Sequence, residues 1–312
     1  MYFEYLKIQK LIQDRSKLKT KLKLIPYEGS IEIKTRGENK YIYLRKKVDG
    51  KNTSTYLDVY SEELYKNITL LLEKSKEYKK EIKKINKELT KFGYEEQELN
   101  SRILLNVDFA RANAKYIIYS QSILEGIKVT SFQVEAVLEN YKINDMRAND
   151  ILKIINLKRA WEFVLDLDII ASKSNYYMLC HIASLINAGF YNYGGAIRTV
   201  PVTITGANYI PPIPLEIDVK ETIEKIVSRE GDAIDIAIDL CLYCMKTQIF
   251  IDGNKRSSLI FANHYLVSQG GGLLIISEDR VPKFVKLLVT YYDGKDQGEI
   301  KKFMKNECWY RL

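Results

Sequence analysis

Residues 248–256, Gln-Ile-Phe-Ile-Asp-Gly-Asn-Lys-Arg, place a carboxylate, a glycine, an amide and two cations directly before a helical stretch. A helix N-terminus has unpaired backbone N–H groups and the positive end of the helix dipole, so it favours phosphate. Gly253 lets the backbone approach an anion closely, and Arg256 can bind phosphate through two donors. Asp252 is a suitable ligand for Mg²⁺. On this chemistry alone, a nucleotide-binding loop and an ordinary surface turn both remain open.

The segments around this loop predict a mainly helical body. Residues 199–205 alternate apolar and polar side chains and are followed by Gly206 and Pro211-Pro212, which predicts a short hairpin. After the loop, a helix is predicted over residues 257–268, ending at the glycines of 270–272. Apolar spacing predicts the other helices at 130–141, 148–172, 176–189, 218–229 and 231–247.

The loop and its flanks resemble the Fic/Doc (Fido) family, whose signature is His-x-Phe-x-Asp/Glu-Gly-Asn-Gly/Lys-Arg, often followed by a second Arg. Residues 189–198 and 200–212 resemble the segment that leads into the family's target-binding flap. Residues 263–277 resemble the helix and turn that follow the family's loop. The likeness covers roughly residues 100–308.

This resemblance implies a helical Fic fold with a β-hairpin flap that binds ATP with Mg²⁺. Most members transfer AMP to a hydroxyl of a target protein, and a Doc-like minority transfers phosphate. By position, Asp252 would bind Mg²⁺. The nucleotide-binding residues would be Gly253, Asn254, Lys255 and Arg256. The flap residues that would hold the protein target, by adding a strand to it, are Val200, Val202 and Ile204.

Two positions depart from the family's pattern. The family's catalytic base is a His at the position of Gln248, and an amide cannot accept the proton; losing a general base costs on the order of 10²–10⁴ in rate. The second Arg is replaced by Leu259, and Lys255 in place of the usual Gly is similar to the Doc-like subgroup. Three functions stay open: a slow AMP transferase, a Doc-like phosphotransferase, and a pseudoenzyme that binds partners.

A segment upstream resembles the inhibitory helix of autoinhibited Fic proteins, Ser/Thr-x-x-x-Glu-Gly/Asn. It is Ser-Gln-Ser-Ile-Leu-Glu-Gly at residues 120–126, and it implies an inhibitory helix over 111–126 with Glu125 and Gly126 in the motif positions. Gln121 stands where the motif has Ser or Thr. An ordinary helix end at Glu-Gly is the alternative, because glycine commonly stops helices.

In the family, the inhibitory glutamate pairs with the second motif Arg. That partner is absent here because Leu259 occupies its position. We therefore expect Glu125 to meet Arg256 or Lys255 instead.

A smaller basic α+β module precedes this body, with the module assigned to residues 1–98 and the Fic-type domain to 99–312. It is predicted to contain a helix, a three-stranded meander and a coiled-coil-like helix with heptad spacing. The heptad stripe at 64–92 could pack within the chain or pair two copies as a homodimer. The predicted elements are 1–23, 30–35, 40–45, 53–58 and 61–92.

The charge of the chain is concentrated in this module. Residues 1–60 hold 14 Lys and Arg against 7 Asp and Glu, whereas the whole chain carries +8, so the remainder is almost neutral. A basic module suggests an acidic partner such as nucleic acid. A solvated lysine-rich surface is the alternative, since no recognised nucleic-acid motif accompanies the charge.

Other features favour a cytoplasmic protein without a membrane partner. The N-terminus lacks the pattern of a signal peptide, and no uncharged apolar run approaches the ~20 residues of a membrane span. Cys241 and Cys244 have metal-like spacing, but no second pair completes a site, so buried free thiols are predicted. His181 is predicted to pack in the core, and His264 lies too far along its helix to replace Gln248.

Overall fold

The computed structural model shows a mainly helical chain made of two compact units. The units are Met1–Glu95 and Glu96–Leu312. The structure describes residues 2–48, 51–92, 94, 98–143, 146–296 and 298–312.

The first unit is a three-stranded antiparallel sheet accompanied by two long helices. The sheet order is β1-β2-β3, which confirms the predicted meander. The last helix covers the predicted heptad segment, and Ser61 caps it by accepting a hydrogen bond from the Leu64 backbone N–H at 3.1 Å. The elements are α1 Tyr2–Lys23, β1 Ser30–Arg36, β2 Asn39–Val48, β3 Lys51–Val59 and α2 Glu62–Lys91.

One face of this sheet packs on helix α2. Ile42 and Leu44 of β2 are buried against Ile68 and Leu72 of α2. Helix α1 packs along α2 as well. The sheet and α1 thus cover part of the heptad stripe within the chain, and homodimerisation through residues 64–92 stays a prediction.

The second unit contains eleven described helices and a two-stranded antiparallel ribbon, with a short 3₁₀ turn at Glu278–Arg280. The ribbon pairs β4 Leu273–Leu274 with β5 Trp309–Tyr310. The first helices are α3 Ser101–Ala112, α4 Ala114–Leu124, α5 Ser131–Leu138, α6 Ala148–Val164, α7 Leu167–Ile170 and α8 Tyr176–Ile186. The later ones are α9 Glu216–Val227, α10 Ala233–Thr247, α11 Asn254–Ser268, α12 Val281–Tyr292 and α13 Glu299–Glu307.

Helix α11 is the centre of the second unit. Its residues are buried all round except for the half-buried Lys255, and it packs against α10, α8 and α6. Asn263 fixes its far end: the amide donates to the Leu274 carbonyl at 2.9 Å and accepts from the Leu274 N–H at 2.8 Å. The loop that precedes α11 is therefore attached to the most buried helix of the fold.

Two predicted helices are interrupted in the structure. The helix predicted over 148–172 is interrupted after Val164, because the Asp166 side chain accepts the Asp168 N–H at 2.9 Å and starts a new short helix. For the helix predicted over 111–126, the predicted start was wrong. Asn113 caps the end of helix α3, its side chain donates to the Phe109 carbonyl at 2.8 Å, and α4 begins at Ala114.

His264 and the four cysteines are buried inside the helical body, whereas His181, predicted to pack in the core, is half-buried. His264 bonds to Ser174 through Nδ1 at 2.8 Å and to the Ile169 carbonyl through Nε2 at 2.9 Å, so Nε2 carries its proton. Burial lowers the pKa of His264 to about 4. The prediction of buried free thiols is confirmed for the four cysteines, Cys180, Cys241, Cys244 and Cys308. Among the described residues, no helix combines the length and apolarity that a membrane crossing requires.

Candidate functional site

A cavity of about 270 Å³ brings most of the predicted site residues together; Gly126, Val200 and Arg256 are not among its lining residues. It is lined by Glu125, by Gln248 and residues 251–255 of the loop, and by residues 202–205. Helix α12 supplies the apolar wall, which was not predicted from the sequence; its i, i+3, i+4, i+7 apolar spacing was the available signal. The wall residues are Val285, Leu288, Val289 and Tyr292.

The loop begins and ends with a left-handed residue. Gln248 ends α10 at φ 49°, and Gly253 precedes α11 at φ 74°. A Cβ at position 253 would lie 2.8 Å from Ile186 Cγ2 and 3.0 Å from Asn187 Oδ1, so the close packing beneath the loop requires glycine. The buried Asn187 amide supports the loop by donating to the Asp252 carbonyl at 2.9 Å.

Asn254 uses its side chain to hold the loop together. Its Oδ1 accepts the Phe250 N–H at 2.9 Å, and its Nδ2 donates to the Phe250 carbonyl at 2.8 Å and to Gln248 Oε1 at 3.1 Å. Both ends of the Asn254 amide are therefore bonded within the loop, and the role of Asn254 at an anion stays a prediction.

Gln248 also braces the loop rather than presenting a reactive atom. Its Nε2 donates to the Met245 carbonyl at 2.6 Å, and its Oε1 accepts from Asn254. The side chain lines the cavity with both polar atoms already bonded to protein.

The charged residues of the site form a compact cluster. Arg256 is only 3% exposed; its Nε lies 3.1 Å from Glu125 Oε2 and its Nη2 lies 3.2 Å from Asp252 Oδ2. Lys255 Nζ lies 3.7 Å from Glu125 Oε1. The expectation that Glu125 meets Arg256 or Lys255 is confirmed, and two carboxylates balance two cations in the cluster.

Helix α4 is held so that Glu125 reaches the loop. Gln121 donates to the Arg256 carbonyl at 2.9 Å and accepts from Trp161 Nε1 at 2.9 Å. Gly126, at φ 74°, then stops the helix, with the Ile127 N–H bonded back to the Ser122 carbonyl at 3.1 Å. Residues 120–126 thus form an ordinary helix end and also position Glu125 at the loop.

The donors of this cluster fit a phosphate group. Arg256 Nε is buried without an aligned hydrogen-bond acceptor, although Glu125 lies beside it, and Glu125 Oε1 is likewise buried without a hydrogen bond. A phosphate oxygen at the N-terminus of α11 could satisfy this donor if Glu125 moved aside. Asp252, with half of its side chain exposed, retains a carboxylate surface for a cation such as Mg²⁺.

The segment predicted as a hairpin forms no β-ladder, so that prediction was wrong in its hydrogen bonding. Residues 199–209 form a loop without regular secondary structure that turns at Thr205-Gly206. Pro201 lacks an N–H for a ladder, and no described strand lies alongside. Along this loop, which we call the flap, Val202 and Ile204 are half-buried at the cavity whereas Val200 is exposed.

Arg198 holds the base of the flap, a role that was not predicted from the sequence. The side chain is 4% exposed and donates to the carbonyls of Gln248 at 2.5 Å and Val200 at 2.8 Å. It also donates to the carbonyls of Pro211 at 3.2 Å and Pro212 at 2.5 Å. One guanidinium thereby joins both ends of the flap to the end of α10.

A family model confirms the resemblance found in the sequence. Residues 174–266, which contain α8, α9, α10 and most of α11, match the Fic/DOC family. The chain carries a Fic/DOC domain. Residues 5–66, in the first unit, match a second family described as a domain of unknown function (DUF6788). No curated protein matches the chain.

Solved structures of Fic proteins share the fold. Fic-1 from C. elegans has a TM-score of 0.52 at 16% identity, over 76% of this chain and 72% of that one. A Fic family protein from Desulfovibrio desulfuricans has a TM-score of 0.53 at 15% identity, over 66% and 71% of the two chains. A Fic domain containing signaling protein from Bacteroides thetaiotaomicron has a TM-score of 0.52 at 16% identity, over 67% and 85%.

Proposed function

We propose that the Fic/DOC domain binds ATP through Lys255 and Arg256 and holds a protein segment along the flap, but transfers AMP very slowly. The observation that carries this proposal is the state of Gln248, whose two polar atoms are both bonded within the loop. In AMP transfer, the attacking hydroxyl must lose its proton. Gln248 has no basic nitrogen to accept it, which removes a contribution of roughly 10²–10⁴ to the rate.

The structure of the flap favours a protein, rather than a small molecule, as the target. The flap has no helical structure, and no strand among the described residues pairs with it. A target segment could add to this backbone as a strand, while Val202 and Ile204 contribute apolar contacts at the cavity. Held there, a target hydroxyl would face the charged cluster.

The proposed nucleotide site consists of the N-terminus of α11 and its two cations, Lys255 and Arg256. Asp252 would hold Mg²⁺, which neutralises phosphate charge when bound. Lys255 and Arg256 would contact the phosphates, and Gly253 permits close approach of the backbone. Because Glu125 already neutralises these cations, we expect weak ATP binding in the wild-type protein.

The decisive experiment is Gln248→His in the full chain. A left-handed backbone tolerates His better than most side chains. With ATP, Mg²⁺ and the full chain as its own target, intact mass should show added AMP for Gln248→His and little or none for the wild type. Calorimetry should show weak ATP binding to both.

Ile251→His is the matched control, because Ile251 lines the same cavity and is 38% exposed. The Ile251→His variant should place an imidazole in the cavity without restoring AMP transfer. Equal AMP addition by the wild type and Gln248→His would refute the loss of catalysis. Absence of both ATP binding and AMP addition in Gln248→His would refute the nucleotide site itself.

A Doc-like phosphotransferase is the second candidate, favoured by Lys255 in the position where most of the family has Gly. Lys255 Nζ is near the Leu124 carbonyl, at 3.4 Å, and is more exposed than Arg256. The same mass measurement separates the two activities, because a transferred phosphate and a transferred AMP add different masses. Phosphate addition without AMP would favour this candidate.

A further inference from the structure

The outer face of the sheet in the first unit carries three clustered tyrosines. Tyr43 and Tyr56 are paired across β2 and β3, with ring centroids 5.6 Å apart. Tyr41, two residues along β2 and therefore on the same face, lies 6.2 Å from Tyr56. Ile42 and Leu44 point to the opposite face, where they form the core. We call the side that contains the three tyrosines the tyrosine face.

Folding leaves much of this aromatic surface uncovered. Tyr56 is 50% exposed, and its same-face neighbours on β3, Asn52 and Ser54, are small and exposed. The solvent side of an antiparallel sheet is usually polar. Cross-strand aromatic pairing stabilises a sheet, but it does not account for a ring that remains half in water. The exposed ring surface of Tyr56 is suited to a flat ligand.

Cations surround the tyrosines. Lys34 Nζ lies 4.5 Å from the centre of the Tyr43 ring. The same Nζ donates to the Ser54 hydroxyl at 3.0 Å, and that hydroxyl donates to Glu32 at 2.8 Å. The strand register puts further cations on the same face. The cations are Lys34, Arg36, Arg45 and Lys47. Carboxylates also lie near them: Glu32 is 3.5 Å from Lys34, and the pKa of the Tyr56 hydroxyl is raised by desolvation and by the nearby Asp58.

We propose that the tyrosine face binds single-stranded nucleic acid. Bases would stack on Tyr56 and its neighbours, and phosphates would contact the flanking cations, a combination that binds single strands with little sequence preference. An acidic protein would use the cations but not the exposed ring, and a duplex hides the faces of its bases. The proposal does not depend on the function of the Fic/DOC domain.

The test uses the full chain and fluorescein-labelled 12-mers of oligo(dT) and oligo(rU), with fluorescence anisotropy as the readout. Both single strands should bind at low salt, more tightly than a duplex of the same length, and the two oligomers separate DNA from RNA. Binding should weaken with salt, with a log–log slope of roughly −3 if all four cations contact phosphates. Tyr56→Leu should lower affinity about tenfold or more, whereas Tyr56→Phe should retain it.

Charge-reversal variants test the contribution of the cations independently of the tyrosines. Arg45→Glu with Lys47→Glu should abolish binding, whereas the matched pair Lys83→Glu with Lys87→Glu, exposed on α2, should have a much smaller effect. No binding of either oligomer at low salt would overturn the proposal. Binding that responds to charge but not to Tyr56→Leu, or heparin binding as tight as oligo(dT), would identify a general polyanion or acidic-protein surface and would overturn it as well.

Discussion

Arg256 Nε and Glu125 Oε2 lie 3.1 Å apart in a nearly water-free position, yet they are not aligned as a hydrogen bond. Their attraction is therefore ionic, and Arg256 keeps an unused donor. A buried donor without an acceptor is costly, so a phosphate that could satisfy it would compete with the carboxylate. We therefore expect the proposed ATP affinity to depend on the charge of Glu125.

Glu125→Gln should raise ATP affinity roughly tenfold, equivalent to about 1.4 kcal/mol. The amide keeps the size of the side chain but removes the charge that neutralises Arg256 and Lys255. Titration calorimetry with ATP and Mg²⁺ measures the effect. Glu135→Gln is the control, because Glu135 pairs with Lys115 at 2.6 Å on the surface. Equal ATP affinity in the two variants would contradict competition by Glu125.

The sequence predicted the parts of this site that depend on local chemistry. The loop lies directly before a buried helix, as the sequence predicted, and the left-handed Gly253 precedes the first residue of that helix. Glu125 contacts Arg256, one of the two cations that the sequence left available to it once Leu259 replaced the family's second Arg. The inward turn of Asn254 and the clamp of Arg198 could not be predicted. Both depend on carbonyl groups that are positioned by tertiary packing, and side chains of the same type could equally have pointed to solvent.

Arg198→Met should destabilise the protein by about 2–4 kcal/mol, because several carbonyl groups lose their shared donor. Arg198→Lys should recover only part of this loss, since an ammonium cannot reproduce the planar arrangement of donors. Urea unfolding measures both. Limited proteolysis of Arg198→Met should cut within residues 199–210 before other sites.

Arg229→Met provides the comparison for Arg198. Arg229 is half-exposed and pairs with Asp239 at 2.7 Å, so its loss should cost no more than about 1 kcal/mol. If the two variants had the same stability and the same pattern of cleavage, Arg198 would not be the support of the flap.

His181 should make stability depend on pH in the mildly acid range. Burial lowers its pKa to about 4, its two ring nitrogens have no hydrogen-bond partner, and its ring centroid is 4.5 Å from that of Phe163. The unfolded chain, with a His pKa of about 6.5, binds the proton first. The contribution of neutral His181 is therefore complete above about pH 6.5 and is lost as pH falls toward 4.

His181→Leu removes this dependence while His264 remains in both proteins. Between pH 7.0 and 5.0, the wild type should lose roughly 2 kcal/mol more of its free energy of unfolding than the variant. Urea unfolding at the two pH values provides the measurement. Parallel losses in the two proteins would mean that His181 accepts a proton in the folded state without penalty.

Gly253→Ala tests whether the loop is held by close packing or only by its backbone conformation. Gly294→Ala is a matched control, because Gly294 has φ 72° against 74° for Gly253 and a Cβ added there would have no atom within 4 Å. The left-handed conformation alone should cost Gly294→Ala about 1 kcal/mol.

Gly253→Ala should cost roughly 1–3 kcal/mol more than the control, since its Cβ must displace Ile186 and Asn187 from beneath the loop. The same displacement moves Asp252, whose carbonyl accepts from Asn187, so ATP affinity should also fall. Thermal unfolding and calorimetry on the two variants separate these effects. If both glycine variants lost the same stability and kept the same ATP affinity, backbone conformation would be the sole requirement at position 253, and Asn187 would not position the loop.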